Sequence, residues 1–126
     1  MQQPSPDPKP CIFIGSSRKD LVAFPAEVRT RIGLALFEAQ RGREPESARA
    51  LKGFGGRGVL ELIEDFDGST YRAVYTVRFA GAVYVLHAFQ KKSKSDIATA
   101  KHDLELIRKR LRDAETDYQA RLAAKR

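Results

Sequence analysis

The sequence predicts an α+β fold: a small antiparallel-rich sheet with an N-terminal helical hairpin on one face and a long C-terminal helix beside the other. Three observations predict it. From Tyr71 to Lys94, YRAVYTVRFAGAVYVLHAFQKKSK, two runs rich in β-branched and aromatic residues flank Ala80-Gly81, the pattern of a β-hairpin. Residues 59–66, VLELIEDF, read as a further strand that turns at Asp67-Gly68 into the first arm of that hairpin. Beyond Ser95-Asp96, apolar residues recur at Ile97, Ala100, Leu104, Ile107, Leu111, Ala114, Tyr118 and Leu122, close to a heptad and therefore helical.

Taken in order, residues 1–10 carry prolines at 4, 6, 8 and 10 and nothing to bury, which predicts an extended, disordered leader. Cys11 to Ile14 reads as a short strand ended by Gly15-Ser16-Ser17, and Ser17 or Asp20 opens a turn of helix through Leu21 and Val22. Pro25 suits a first helical position, and Val28, Ile32, Ala35, Leu36 and Ala39 follow at helical spacing up to Gly42. Residues 43–58 are polar and glycine-rich and read as a connecting loop.

If Ala80-Gly81 is the whole hairpin loop, Val74 lies opposite His87 and Arg72 opposite Phe89. One face then carries Tyr71, Ala73, Tyr75, Val77 and Phe79 with Ala82, Tyr84, Leu86 and Ala88, fit for covering by a helix. The other carries Arg72, Thr76, Arg78, His87 and Lys91. A loop longer by one residue would swap the faces. The last helix, about 28 residues and roughly 42 Å long, is expected to outrun the sheet beyond Leu111 and there to project, fray or pack on another chain, which includes oligomerisation.

The 126 residues make one domain, 11–126, after the leader. Lys and Arg number 23 against 16 Asp and Glu, a formal charge of +7, so a polyanion or an acidic protein is the expected partner. The single cysteine, Cys11, excludes an internal disulfide, and with only His87 and His102 beside it no metal-ligand cluster is expected. A reducing cytoplasm is the expected compartment. The chain contains no apolar run of the roughly 18 to 20 residues that spans a bilayer, and no signal peptide is read at its start.

Five pieces occur in a telling order: Ser17 to Leu21, Pro25 to Arg29, Leu51-Lys52-Gly53, Tyr71-Arg72 and His87 to Lys92. Together they resemble the RelE/HigB superfamily of bacterial toxins, and within it the phage-derived HigB-like subgroup, over about residues 12 to 110. The resemblance implies a RelE-like fold and the toxin of a type II toxin–antitoxin pair, held by a HigA-like antitoxin bearing a helix-turn-helix domain. It implies a ribosome-dependent mRNA endonuclease that works without a metal or cofactor and uses the RNA 2′-hydroxyl as nucleophile. Such a protein has only to position the strand, move protons and stabilise the added negative charge. The chain departs from some mRNA-cleaving relatives at Glu61 and Glu64, where they carry lysines, and at Ile97, where they carry tyrosine. The superfamily also holds ParE toxins, which inhibit DNA gyrase, and a non-catalytic toxin of that kind is the alternative.

Under the nuclease reading Arg72 is the phosphate-stabilising residue, because a guanidinium is always charged and grips phosphate with two bonds. Its alternative is an ion pair with Glu61 or Glu64 across the sheet. His87 is the acid or base, its alternative a satisfied, half-buried strand histidine. Lys91 and Lys92 complete the catalytic set. Arg57, Arg78 and Lys94 are the candidate RNA contacts. Tyr71 and Tyr75 are read as core, His102 as surface, and Cys11 as a small apolar residue at a strand start.

Overall fold

The computed structural model describes residues 7–55, 58–91 and 99–125. Its elements are β1 (Cys11–Phe13), α1 (Ser17–Val22), α2 (Ala26–Gln40), β2 (Ala48–Ala50), β3 (Val59–Phe66), β4 (Ser69–Thr76), β5 (Val83–Lys91) and α3 (Lys101–Ala124). The five strands form one sheet in the order β1-β5-β4-β3-β2. Only the β1–β5 pair is parallel; the other three pairs are antiparallel. The expected α+β architecture is therefore present, with β2 added inside the stretch read as a loop.

Pro25 caps α2 from just outside it, where its missing N–H costs nothing. The turn between β3 and β4 places both Asp67 (φ 51°) and Gly68 (φ 83°) in the left-handed region, as a two-residue hairpin of this hand requires. Asp tolerates that conformation better than most residues, and Gly adopts it freely.

The β4–β5 hairpin corrects the expected loop and faces. Its strands end at Thr76 and resume at Val83, so the connection is 77–82 rather than Ala80-Gly81 alone. Arg72 still opposes Phe89 and Val74 still opposes His87, but a bulge after Val74 places Tyr75 opposite Val85. Leu86 is the extra residue. A bulge shifts every later side chain by one position, so Tyr84 and Leu86 do not share a face with Tyr71, Ala73 and Tyr75. They lie on the opposite face with Val74 and Ala82.

Both faces are consequently apolar and covered. Val28, Ile32 and Leu36 of α2 and Leu21 of α1 pack on Leu60, Leu62, Tyr71, Tyr75, Val83 and Val85. On the other side Ile107 and Ala114 of α3, both fully buried, pack with Val59, Val74, Tyr84 and Leu86. The expected helix start at Ser95-Asp96 lies outside the described residues. α3 does not leave the sheet at Leu111: Tyr118 donates to the Ala80 carbonyl at 2.7 Å and Tyr84 donates to Asp117 at 2.8 Å. Beyond Tyr118 every described residue of α3 is exposed, Leu122 among them.

Because Ile107 is enclosed between helix and sheet, Ile107→Ala is expected to cost about 2–5 kcal/mol. Urea denaturation should show a lower midpoint with an unchanged m value; an unchanged midpoint would mean that α3 does not cover the sheet.

Candidate functional site

Strand register brings Glu61 and Arg72 to the face under α3. Glu61 opposes Val74 on β4, and Arg72 precedes that valine by two residues. Both are 2% exposed. Arg72 Nη1 donates to Glu61 Oε2 at 3.3 Å and to Thr99 Oγ1 at 3.1 Å, and Thr99 itself donates to the same Glu61 oxygen at 2.6 Å. From β2, directly across from Glu61, Arg49 brings Nη2 to 3.8 Å from Oε1. A carboxylate is thus set between two guanidiniums and a hydroxyl. It lines a groove of about 380 Å³ bounded by Arg49, Lys52, Thr99, Leu104 and the β2 backbone.

The ion pair expected as the alternative for Arg72 exists, and Glu61 is its partner. Such a pair gives back in Coulomb attraction roughly what it loses in desolvation, but loss of one member strands the other. Apolar burial holds this region together, and the pair fixes its geometry.

His87 lies on the same face, opposite Val74, and meets Asp103 in the first turn of α3. Its Nε2 is 2.8 Å from Asp103 Oδ1 and its Nδ1 is 3.5 Å from Arg110 Nη1. Since the ionised carboxylate only accepts, the neutral ring carries its proton on Nε2 and offers Nδ1 to the guanidinium. The ring stacks on Phe89 with centroids 4.6 Å apart and is 7% exposed. Burial lowers its pKa below the ordinary 6.5, with Asp103 opposing the shift and Arg110 adding to it. Arg110 also donates to the Leu86 carbonyl and to Ser16 Oγ, both at 3.0 Å, and Ser16 donates to Asp20 at 2.8 Å. The bulge residue thereby becomes the point at which α3 grips β5.

Of the other anticipated residues, Lys91 ends β5 opposite Thr70 and is partly buried. Arg78 is exposed beyond the end of β4 and donates to the Phe54 carbonyl. Arg57, Lys92 and Lys94 lie outside the described residues. The structure brings Arg72 and His87 together under the start of α3, each already engaged. It adds Glu61, Arg49, Thr99, Asp103 and Arg110, which were not among the anticipated site residues. Glu61 carried a signal: a charge flanked by Leu60 and Leu62, in a strand buried on both faces, needs a buried partner. Cys11, partly buried at the start of β1, has its thiol pushed up to about 11 by burial, which leaves it a poor nucleophile at neutral pH.

Among the described residues no three His, Cys, Asp or Glu side chains are grouped to hold a metal ion, and no helix is long and apolar enough to cross a membrane. The sequence model of the family described as "Phage derived protein Gp49-like (DUF891)" matches residues 19–112. Comparison with curated proteins gives no match. Among solved structures, a chain of the toxin–antitoxin complex RelBE2 from Mycobacterium tuberculosis is similar, with 19% identity and a TM-score of 0.46, over 72% of this chain and 100% of that one.

Arg72→Ala is expected to destabilise the protein by about 3–5 kcal/mol by leaving Glu61 buried without its guanidinium, whereas Arg72→Met with Glu61→Leu should recover most of the loss. Chemical denaturation of the two variants decides it, and an undiminished Arg72→Ala midpoint would contradict the burial described here. His87 supplies a pH signature. Its folded pKa is depressed, so below 6.5 the unfolded chain binds the extra proton first. Stability should fall as pH drops from 6.5 to the folded value and be insensitive to this group above 6.5. His87→Gln should remove that part of the slope in denaturation midpoints measured across pH 4–8, and an unaltered slope would contradict it.

Proposed function

The chain belongs to the phage-derived Gp49-like family, and on that premise we propose that it is the toxin of a type II toxin–antitoxin pair. In this reading it is a ribosome-dependent, metal-independent mRNA endonuclease with the RNA 2′-hydroxyl as nucleophile. The observation that carries the reading is the groove in which Glu61 stands between Arg49 and Arg72, on a chain of net charge +7. The cations draw an RNA strand in. Arg72, with Arg49 and Lys52 at the mouth, takes up the charge that builds on the phosphate, exchanging part of its contact with Glu61 for the phosphate oxygens.

Glu61 accepts the 2′-hydroxyl proton as that oxygen attacks phosphorus. A 2′,3′-cyclic phosphate forms, the bond to the 5′-oxygen breaks, and that oxygen takes up a proton. His87 is the donor in this scheme, a role that requires its ring first to take up a second proton, becoming imidazolium, and to turn from Asp103. Lys91 and Lys92, with Arg57, Arg78 and Lys94, contact the backbone on either side. The proposed partners are a HigA-like antitoxin with a helix-turn-helix domain, and the ribosome with its mRNA in the cytoplasm.

The test is inducible expression of the chain alone in bacteria, with growth followed and mRNA 5′ ends mapped within minutes. Growth arrest with new in-frame cuts in translated messages is expected. Glu61→Gln should lower cutting about 10²-fold, and Arg49→Gln, at an exposed position, should lower it without changing the melting temperature. Arrest with intact messages and an SOS response would replace this reading with a gyrase-directed toxin. Unimpaired growth of cells that accumulate the folded chain would exclude both.

A further inference from the structure

Next to the groove, a second row of cations runs between α3 and the glycine-rich loop that follows β2. Arg108 and Arg112 are four residues apart on α3 and therefore on one helix face. The Arg108 guanidinium lies over the Phe54 ring, 5.1 Å from its centroid. Arg78 donates to the carbonyl of that same Phe54, and Arg78 and Arg112 line one open depression with Phe79, Leu111 and Glu115. At the other end Lys52 joins the row to the Glu61 groove.

The loop is built around these arginines. A Cβ at Gly58 would stand 2.8 Å from Arg78 Cγ, and the residue's φ of +112° is open to glycine almost alone. A Cβ at Gly53 would meet Arg108 Nη2 at 3.2 Å. Phe54 between them is 6% exposed, so it is an anchored platform that holds two guanidiniums rather than a mobile tip.

The charges on this row are unspent. Among the described residues Lys52, Arg108 and Arg112 form no ion pair with a carboxylate, including Glu105 and Glu115 on the same helix, and the Arg78 guanidinium has only the Phe54 carbonyl as a hydrogen-bond partner. Elsewhere Arg31 is paired with Glu27 and Glu64, Arg43 with Glu38, and Arg121 with Asp117, while Arg18 and Arg29, on the α1 and α2 side, stand apart from one another without a carboxylate partner among the described residues. Guanidiniums held in place without an internal anion are ready to meet an external one.

We propose that Lys52, Arg78, Arg108 and Arg112 form a backbone track for single-stranded RNA, which delivers the strand to the Glu61 groove. The proposal rests on the nuclease reading for its ligand. A single strand fits better than a duplex because the row is one cation wide and follows the crevice beside a helix, where a flexible backbone can bend. Its contacts are to phosphate, so the track holds any sequence alike.

Binding of a labelled, uncleavable 20-mer of 2′-O-methyl uridine to cell-free-synthesised protein, measured across salt concentrations, tests the track. Each phosphate contact on a single strand adds about 0.7 to the slope of log affinity against log salt, so Arg108→Gln with Arg112→Gln should lower the slope by about 1.4. Arg41→Gln with Arg43→Gln, on the α2 side of the sheet, should leave it unchanged, and melting temperatures check that all variants fold. Equal slopes for wild type and the Arg108/Arg112 variant would overturn the track, as would the same loss in the α2 control or tighter binding to a duplex DNA of equal length. Loss of slope as predicted, together with intact messages in cells expressing the wild type, would retain the track and reject the nuclease reading.

Discussion

The sheet has two apolar faces, and α1 and α2 cover only one of them. The face bearing Val74, Tyr84 and Leu86 would stand in water unless α3 lay across it, and the burial of each such side chain is worth about 1.5–3 kcal/mol. Ile107 and Ala114 close that face. The helix thereby also takes Arg72, Glu61 and His87 out of water, and their arrangement follows from that enclosure. Buried charges and rings need partners. Glu61 and Thr99 supply them for Arg72, and Asp103 and Arg110 supply them for His87.

These polar contacts orient the helix more than they hold it. Thr99, just before α3, bonds to both Glu61 and Arg72, Asp103 meets His87 and Asp117 accepts from Tyr84, and a placement that broke these contacts would leave buried polar groups without partners, so one placement of the helix along the sheet is selected. The bulge at Leu86 adds a further point, because its carbonyl accepts from Arg110. A groove with fixed walls results where the start of α3 meets β2, and the row of unpaired cations leads away from it along the helix.

Most of the fold was legible in the sequence because hydrophobic spacing reports elements that bury one face. β3, the Asp67-Gly68 turn, α2 and the apolar stripe of α3 all followed from it. β2 did not, since Ala48-Arg49-Ala50 is a short edge strand exposed along most of its length and set among polar residues and glycines. The bulge had no glycine or proline to mark it, and it reassigned Tyr84 and Leu86. The apolar repeat runs on through Ala114 and Tyr118, but the reach of α3 was missed because the connection 77–82 is longer than expected and brings Phe79 and Ala80 out to meet Tyr118. At the site, Arg72 and His87 were visible as polar residues in apolar strands. Glu61 was read as the alternative partner of Arg72 across the sheet, but Thr99, Asp103 and Arg110 were not anticipated, because they come from distant parts of the chain.

The central claim is that the groove lined by Glu61 and Arg49, with Arg72 buried behind Glu61, is where RNA is held for reaction. A crystal structure of the protein with a short 2′-O-methyl oligoribonucleotide addresses it most directly. The account predicts a phosphate within hydrogen-bonding distance of the Arg72 or Arg49 guanidinium, with the neighbouring 2′-oxygen facing Glu61. An oligonucleotide seated elsewhere, with the Glu61–Arg72 contact intact and the groove empty, would contradict it.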